Sequence, residues 1–201
     1  INKEKINWVS IEEQLLSIEH LIKAGKVRYF ALSNEWPWGL MEFIRLAKIK
    51  NLPLVCTLQN SYSLINRIVE LGMTEIFFRE KLSFFSYSPL GFGHLSGKYL
   101  KDPRAAGRIN LFPGYAQRYN KSGVEKAIEK YDALAAKRNL SLTDLALSFV
   151  YSQWFVTSTV IGATNIKQLK QNIAAYGLDI VDEELIQEID AIHLDVMNPA
   201  P

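Results

Sequence analysis

The chain has 201 residues, of which 48% are hydrophobic and 22% are charged, and its formal net charge is +2. This composition is typical of a folded globular protein and excludes a mainly disordered chain, which would have few apolar residues and a large net charge. The single cysteine, Cys56, excludes a disulfide scaffold and is typical of a reducing compartment, so we expect a cytoplasmic location. No apolar run approaches the roughly 20 residues of a membrane helix, and residues 1–5 lack the apolar segment of a signal peptide.

Basic residues do not form the kind of patch that binds nucleic acid. Lysine and arginine are mixed with acidic residues along the chain, and the densest basic stretch, from Arg104 to Arg118, lies among glycine, proline and aromatic residues. We therefore expect neither a nucleic-acid partner nor a membrane partner. A few local cations are nevertheless compatible with a small anionic ligand such as a phosphate.

The pattern of apolar residues predicts alternating helices and strands. A capping box formed by Ser10 and Glu13 marks the start of the first helix, and Gly25 marks its end. Short β-rich or apolar runs that end in polar turns predict strands. In chain order we expect a helix at 10–24, a strand at 27–32, a helix at 40–50, a strand at 54–58, a helix at 69–79, a strand at 82–87, a loop at about 91–120, helices at 124–138 and 142–153, a strand at 157–161, and helices near 166–175 and 182–193.

This order of elements predicts a single α/β domain over residues 1–201, with a parallel sheet flanked by helices. Most of the strands are apolar, as expected when both faces of a sheet are covered. Right-handed crossovers place the carboxyl ends of all strands at one edge, where α/β barrels and doubly wound sheets bind their ligands. The polar turns that follow the strands are therefore the candidate ligand-binding segments.

Several other kinds of site are disfavoured by the residues. The three histidines are far apart and show no metal-ligand spacing, so we expect no metal site. Cys56 lies within a predicted strand, where a buried, inert thiol is the expectation. No Gly-x-Ser-x-Gly elbow of a serine hydrolase is present. The acidic residues 182–184 begin a predicted helix, where they complement its dipole.

The turn after the third strand is a candidate phosphate site. The backbone N–H groups of Ser88, Leu90 and Gly91, together with the Ser88 hydroxyl, could cradle a pyrophosphate, with Lys98 as a nearby cation. Tyr87, at the end of the strand, could stack on a planar heterocycle. The alternative is an ordinary tight Pro-Gly turn beside an ordinary rim aromatic.

The turn after the fourth strand begins a helix at the same edge, which favours anion binding. Gln168, Gln171 and Asn172 share one side of this helix by their spacing and could face a sugar or an adenine. Alternatively, Asn165 caps the helix and Gln168 closes the capping box. The turn does not carry a Gly-x-Gly-x-x-Gly fingerprint, so a Rossmann dinucleotide site is disfavoured.

Taken together, these blocks resemble the aldo-keto reductase family, especially the bacterial Tas-like enzymes and the potassium-channel β-subunits. The resemblance covers nearly the whole chain and rests on residues 25–34, 58–60, 87–91, 95–99 and 161–172, in that order. It implies the C-terminal part of a TIM (β/α)8 barrel, about four βα units plus a C-terminal helix, that binds NADP(H) at its C-terminal face. It also implies a carbonyl compound, an aldehyde or a ketone, as the small-molecule substrate.

The resemblance assigns a part of the cofactor to each turn. Ser33, Asn34 and Gln59 would hold the carboxamide side of the nicotinamide, and Tyr87 would stack on its ring. The pyrophosphate would be lined by Ser88, Pro89, Leu90, Gly91 and Phe92, with help from Lys98, while Arg108 would lie in a flap over the cofactor. The adenosine end would be surrounded by Gly162, Thr164, Gln168, Gln171 and Asn172, although many relatives carry Glu at the position of Gln171. Lys98 and Arg108 would favour a 2′-phosphate and hence NADP over NAD.

The chain departs from the family in one respect. An aldo-keto reductase uses an Asp-Tyr-Lys-His tetrad that belongs to its first four βα units, and no residue here matches any of the four. We therefore nominate no catalytic residue and expect the chain by itself to be inactive, whereas a full-length parent would reduce aldehydes or ketones with NADPH. Three explanations stay open: a piece of a longer enzyme, a natural half-barrel that pairs with a copy of itself through its open edges, or a non-catalytic NADP(H)-binding regulatory subunit.

Overall fold

Four parallel strands form one sheet in the computed structural model, which describes residues 9–112, 114 and 117–201. The strands lie side by side in chain order: β1 (Ala31–Ser33), β2 (Thr57–Ser61), β3 (Ser83–Tyr87) and β4 (Ser158–Val160). Because every neighbouring pair is parallel, all four carboxyl ends lie at one edge of the sheet. The α/β class and the parallel arrangement predicted from the sequence are confirmed.

Helices connect the strands, and most begin within two residues of the predicted positions; α2 begins three residues earlier than predicted, and α3 begins four residues later, after a 3-10 turn at Ile68–Glu70. Ser10 Oγ accepts a hydrogen bond from Glu13 N at 3.1 Å, and Asp182 caps the last helix by accepting from Leu185 N at 2.7 Å. The described helices are α1 (Ile11–Lys23), α2 (Pro37–Lys50), α3 (Met73–Glu80), α4 (Lys98–Lys101), α5 (Arg108–Leu111), α6 (Ser122–Lys137), α7 (Leu142–Tyr151), α8 (Ile166–Ala174) and α9 (Glu183–Asp195). None of these helices is both long and apolar enough to cross a membrane.

The second strand begins three residues later than predicted, and this changes the environment of Cys56. Residues 54–56 precede β2 rather than form it, because β1 offers only three residues for pairing. Cys56 is exposed, with its thiol 3.0 Å from the carbonyl oxygen of Phe30. The expectation of a buried cysteine was therefore wrong, since Cys56 precedes the ladder that β2 forms with β3.

The segment predicted as a loop at 91–120 contains short helical pieces. These are the 3-10 turns Gly91–Ser96 and Gln117–Tyr119 and the helices α4 and α5. Glycines with positive φ, at 91, 93 and 97, break the segment into pieces too short to show a helical period. Pro113, Tyr115 and Ala116, within the same predicted loop, lie outside the described residues, as do residues 1–8, where no signal peptide is expected.

The two faces of the sheet differ in burial. Leu58 and Phe84, which are neighbours across β2 and β3, are fully buried beneath the helices. On the opposite face, Ser33 and Ser158 are exposed and Gln59 is half-buried. The expectation that helices cover both faces is therefore wrong for the described residues, because alternate positions of these short strands carry polar side chains.

Aromatic rings fill the space between the sheet and the helices. Tyr62 lies against Phe149 and Phe155 with ring centroids 5.9 and 5.2 Å apart, and Phe77 stacks on Phe84 at 5.0 Å. Each such pair adds about 0.5–1.5 kcal/mol to the energy of burial. The core therefore fixes the segment that follows β2 against the helices behind the sheet.

Arg67 joins that same segment to the end of the chain. Its guanidinium donates to Glu70 at 2.7 Å and to Asp190 of α9 at 2.6 Å, and only 11% of its side chain is exposed. Its backbone N–H donates to Asn198 Oδ1 at 2.6 Å. The residues after β2 are thus held against α9 and the C-terminal tail by a largely buried cation.

Replacement of Arg67 by Met should destabilise the fold. The change leaves Glu70 and Asp190 without their cation, and breaking a fully buried ion pair typically costs roughly 3–5 kcal/mol. Because both carboxylates are partly exposed, we expect a loss of about 2–3 kcal/mol in urea denaturation. The matched control is Arg45→Met, which removes an exposed pair with Glu42 and should leave the unfolding midpoint nearly unchanged; equal effects of the two variants would contradict the role of Arg67.

The same network should make stability depend on pH through His193. Burial lowers the pKa of His193, and the Arg67 cation lowers it further, against the opposing effects of Glu70 and Asp190. The unfolded chain therefore binds this proton at a higher pH than the folded chain does. We expect stability to fall as pH drops below about 6.5, and the pKa of His193, measured by NMR titration, to rise in Arg67→Met. An unchanged pKa in that variant would contradict the assigned cause.

Candidate functional site

The residues predicted to hold a nicotinamide carboxamide lie together at the carboxyl edge. Ser33 and Gln59 are direct neighbours across β1 and β2, and both lie on the open face of the sheet. The Asn34 backbone N–H donates to the Gln59 carbonyl oxygen at 3.0 Å. Gln59 lies inside β2 rather than in the turn after it, so the ladder itself fixes its direction.

Tyr87 contacts this group through a direct hydrogen bond. Its hydroxyl donates to Asn34 Oδ1 at 2.6 Å, and Asn34 Nδ2 donates in turn to Ser33 Oγ at 3.2 Å. Asn34 has a left-handed backbone, with φ of 60°, a conformation that asparagine tolerates better than most residues. The half-buried Tyr87 ring is therefore held at the end of β3 beside the predicted carboxamide site.

The turn at residues 88–93 has features of both alternatives that its sequence left open, a tight turn and a phosphate site. The Gly91 N–H donates to the Ser88 carbonyl oxygen at 2.9 Å, so this amide closes a tight turn and is unavailable to a phosphate. The amides of Ser88 and Leu90, in contrast, have no acceptor within the described part of the chain. A Cβ at Gly91 would approach Ile65 Cδ1 to 2.8 Å, and the φ of Gly91 is 51°, so a larger residue there would strain the turn and displace Ile65.

Two cations lie against this turn, although they are separated from it in sequence. The Arg108 guanidinium lies 4.9 Å from the centre of the Phe92 ring, and the Lys98 side chain packs against Gly93. Lys98 Nζ donates to the Ala106 carbonyl oxygen at 3.1 Å. Neither cation forms an ion pair with a carboxylate of the described residues, so both charges are available to an anion.

Tyr119 belongs to the site and was missed by the sequence analysis. It is 97% buried, its hydroxyl lies against the side chains of Ser61 and Ser88, and its ring is 5.1 Å from that of Phe92. Burial raises the pKa of this hydroxyl, an effect that Arg118 and the two serines oppose. An aromatic residue in a polar loop was the sole sequence signal, and it did not indicate which strands the residue would contact.

The turn after β4 satisfies its own polar groups. Asn165 Oδ1 accepts from Gln168 N at 3.0 Å, and Gln168 Oε1 accepts from the Thr164 backbone N–H at 2.8 Å and from its hydroxyl. This is the capping alternative, except that Gln168 bonds to Thr164 rather than to the cap residue. Gly162, Thr164 and Gln168 are nevertheless exposed at the carboxyl edge.

Gln171 and Asn172 have different surroundings from Gln168. Gln171 Nε2 lies 3.2 Å from Ser141 Oγ and 3.3 Å from Asp144 Oδ1, at the start of α7. Asn172 is buried, and its Nδ2 donates to the Gly162 carbonyl oxygen at 3.1 Å. Asn172 therefore positions the turn after β4, whereas contact of these residues with an adenosine stays a prediction.

The chemistry of the edge fits a dinucleotide with a phosphate-rich centre. Polar side chains on an open sheet face are followed, from β1 to the segment after β3, by an aromatic ring, two backbone amides and two cations. Within the described part of the chain, these amides have no acceptor and these cations have no carboxylate partner. Among the described residues, no group of three or more histidine, cysteine or acidic side chains is arranged to hold a metal ion. An open groove of about 750 Å³ lies near Phe78 and Trp154, at the opposite edge of the sheet and away from these groups.

Known proteins resemble this chain over nearly its whole length. The profile of the aldo/keto reductase family matches residues 4–193. The chain is 39% identical to Protein tas of Escherichia coli over 193 residues, which is 96% of this chain and 56% of that protein. It is 37% identical to an aldo-keto reductase of Babesia bovis, with 96% of this chain and 70% of that protein covered.

A more distant relative is L-glyceraldehyde 3-phosphate reductase of Escherichia coli, 28% identical over 88% of this chain and 53% of that protein. The chain thus spans a little over half the length of the Tas relative and about half that of the reductase. The family profile nevertheless covers nearly all of the chain. On the strength of that match, the chain belongs to the aldo/keto reductase family.

Proposed function

We propose that this chain is the NADP(H)-binding part of an oxidoreductase that reduces aldehydes or ketones to alcohols. The observation that carries the proposal is the meeting of Ser33, Gln59 and Tyr87 at one sheet edge, beside a turn whose two cations have no carboxylate partner among the described residues. Membership of the aldo/keto reductase family supports an oxidoreductase role. The relative named L-glyceraldehyde 3-phosphate reductase supports a carbonyl substrate.

The residues of the chain would divide the work of holding the cofactor. Ser33, Asn34 and Gln59 would orient the carboxamide, and Tyr87 would cover one face of the nicotinamide ring. The amides of Ser88 and Leu90, with Lys98 and Arg108, would hold the phosphates. The bound cofactor supplies the hydride, and the protein supplies orientation and charge. The residues at the turn after β4, from Gly162 to Asn172, would surround the adenosine.

The sheet would form half of an eight-stranded barrel. β1 and β4 are each paired on one side within the described chain, and the face that carries Ser33 and Gln59 is open. Unpaired strand edges and an open face favour association. The remaining half would come from further sequence of a longer protein or from a second copy. A cytoplasmic location fits a chain with a single, exposed cysteine.

Substitution of the two cations should distinguish NADPH from NADH. Lys98→Ala and Arg108→Ala should each weaken NADPH by about 1.5–3 kcal/mol if the contact is direct, because hydrogen bonds between charged groups are the stronger ones. NADH lacks the 2′-phosphate and should be affected less. A titration that is monitored through the fluorescence of the nucleotide measures both affinities.

Lys101→Ala is the matched control for these variants, because Lys101 is an exposed lysine of α4 and lies near Lys98 in sequence. It should leave both affinities unchanged. Equal weakening of NADPH and NADH in both test variants would remove the argument for NADP.

The 201-residue chain alone should show no reduction of simple aldehydes, since no residue of the chain matches the proton-donating tyrosine of the family's catalytic tetrad. General acid catalysis is typically worth about 10²–10⁴-fold in rate.

In sedimentation experiments, the 201-residue chain should be a dimer or a larger oligomer. A folded monomer that oxidises NADPH with aldehydes would contradict the half-barrel proposal. Tight NADPH binding by the full-length protein, without turnover on a broad carbonyl panel, would favour a regulatory subunit instead.

A further inference from the structure

A cavity of about 280 Å³ opens at the carboxyl edge, next to the proposed nicotinamide site. Asn34 and Tyr87 form part of its wall, and Arg118 also borders it. Trp36 and apolar residues of the segment after β2 form much of the rest. Its volume is just below the roughly 300–1,000 Å³ of typical ligand pockets, so it suits a small molecule. None of the cofactor contacts proposed above uses Arg118 or the apolar wall.

Arg118 is held at this cavity by its neighbour in the chain. Tyr119 is buried, with its hydroxyl against Ser61 of β2 and Ser88 after β3. The backbone at Arg118 is therefore fixed to the ends of two adjacent strands. The Arg118 side chain is exposed and forms no ion pair with any carboxylate in the described ranges.

Glu35 does not neutralise Arg118, although it borders the same cavity. Its carboxylate accepts from the Trp36 backbone N–H at 3.0 Å and lies over Gly39, where a Cβ would come within 2.1 Å of Glu35 Oε1. The carboxylate thus occupies the N-terminus of α2, where the helix dipole compensates its charge. The positive charge of Arg118 is left for a ligand.

Asn60 adds a second unsatisfied group. Its Nδ2 donates to the Glu35 carbonyl oxygen at 3.0 Å, whereas its Oδ1 is buried and has no partner among the described residues. This oxygen has almost no exposed surface, so the Nδ2 hydrogen bond to Glu35 is what fixes the Asn60 side chain in the wall of the cavity.

We infer that this cavity binds the non-reacting end of the carbonyl substrate, and that this end carries a carboxylate or phosphate, which pairs with Arg118. Ile68, Val69 and Met73, which line the cavity, would contact the carbon chain of the same molecule. The inference rests on the proposed function, because it takes Tyr87 and Asn34 as the boundary with the nicotinamide. Arg118 is then a residue that determines substrate specificity.

The test uses the full ¹⁵N-labelled chain and two matched probes, with and without NADPH. Levulinate carries a carbonyl group and a carboxylate, and methyl levulinate is its uncharged ester. Levulinate should give saturable NMR shifts at the Asn60 side-chain amide and at the backbone amides of Leu71 and Met73, with higher affinity than the ester. Glycolaldehyde phosphate, compared with levulinate, shows whether phosphate or carboxylate is preferred.

Arg118→Ala should weaken levulinate on the order of tenfold and leave the ester unchanged, because a charge-assisted contact is lost. Arg118 is exposed, so the variant should fold. Arg104→Ala, which removes an exposed arginine of the same segment that does not line the cavity, is the control and should change neither affinity. Absence of saturable binding, equal affinity for both probes, or no effect of Arg118→Ala would overturn the inference.

Measurement of NADPH affinity in the same samples separates this inference from the proposed function. Arg118→Ala should bind NADPH as the unaltered chain does. If it loses NADPH as well, Arg118 belongs to the cofactor site and the inference fails. If the unaltered chain binds levulinate through Arg118 but never binds NADPH, the cavity assignment is supported and the proposed function fails.

Discussion

The parallel hydrogen-bond ladder from β1 to β4 is the constraint on which the rest of this structure depends. Its register makes Ser33 and Gln59 direct neighbours and places Tyr87 beside Ser61. Side chains separated by 26 or more residues in sequence thereby share one edge of the sheet. A shift of one residue in any pairing would move these side chains to the helix-covered face, where Leu58 and Phe84 are buried. The same register therefore builds both the core and the candidate site.

Two anchors connect the irregular segments to this ladder. Arg67 joins the residues after β2 to α9, and Tyr119 joins the end of the segment after β3 to Ser61 and Ser88. Each anchor is largely buried and is surrounded by hydrogen bonds or rings. The walls of the carboxyl edge are consequently positioned by contacts that lie outside the regular strands. This explains how a site made mainly of turns can have a defined shape.

Charge is distributed unevenly along the carboxyl edge. The Glu35 carboxylate accepts a hydrogen bond from the Trp36 N–H at the start of α2. The polar groups of Thr164, Asn165 and Gln168 form hydrogen bonds with one another. Lys98, Arg108 and Arg118, in contrast, form no ion pairs within the described chain. A chain with a net charge of only +2 thus presents unpaired cations at one place. Local compensation of the acidic groups, rather than total charge, makes this edge suited to anions.

The sequence by itself determined the α/β class, the parallel sheet, the helix cap at Ser10, the start of the last helix at residues 182–184, and the family. These features depend on local patterns: apolar spacing, cap residues, and polar turns in a fixed order. The sequence also named Ser33, Gln59 and Tyr87 as neighbours, because parallel strands must end at one edge. Their roles in binding a cofactor stay predictions.

Only the tertiary structure decided which polar groups form hydrogen bonds within the chain and which have no partner among the described residues. Gly91 N–H closes its own turn, Gln171 lies against the start of α7, and Asn172 holds Gly162, although their sequence positions allowed each to contact a ligand. The structure likewise exposed Cys56 and buried Tyr119. Hydrogen-bond partners and burial arise from residues distant in sequence, so a local pattern can predict an element but cannot assign the partner of a side chain.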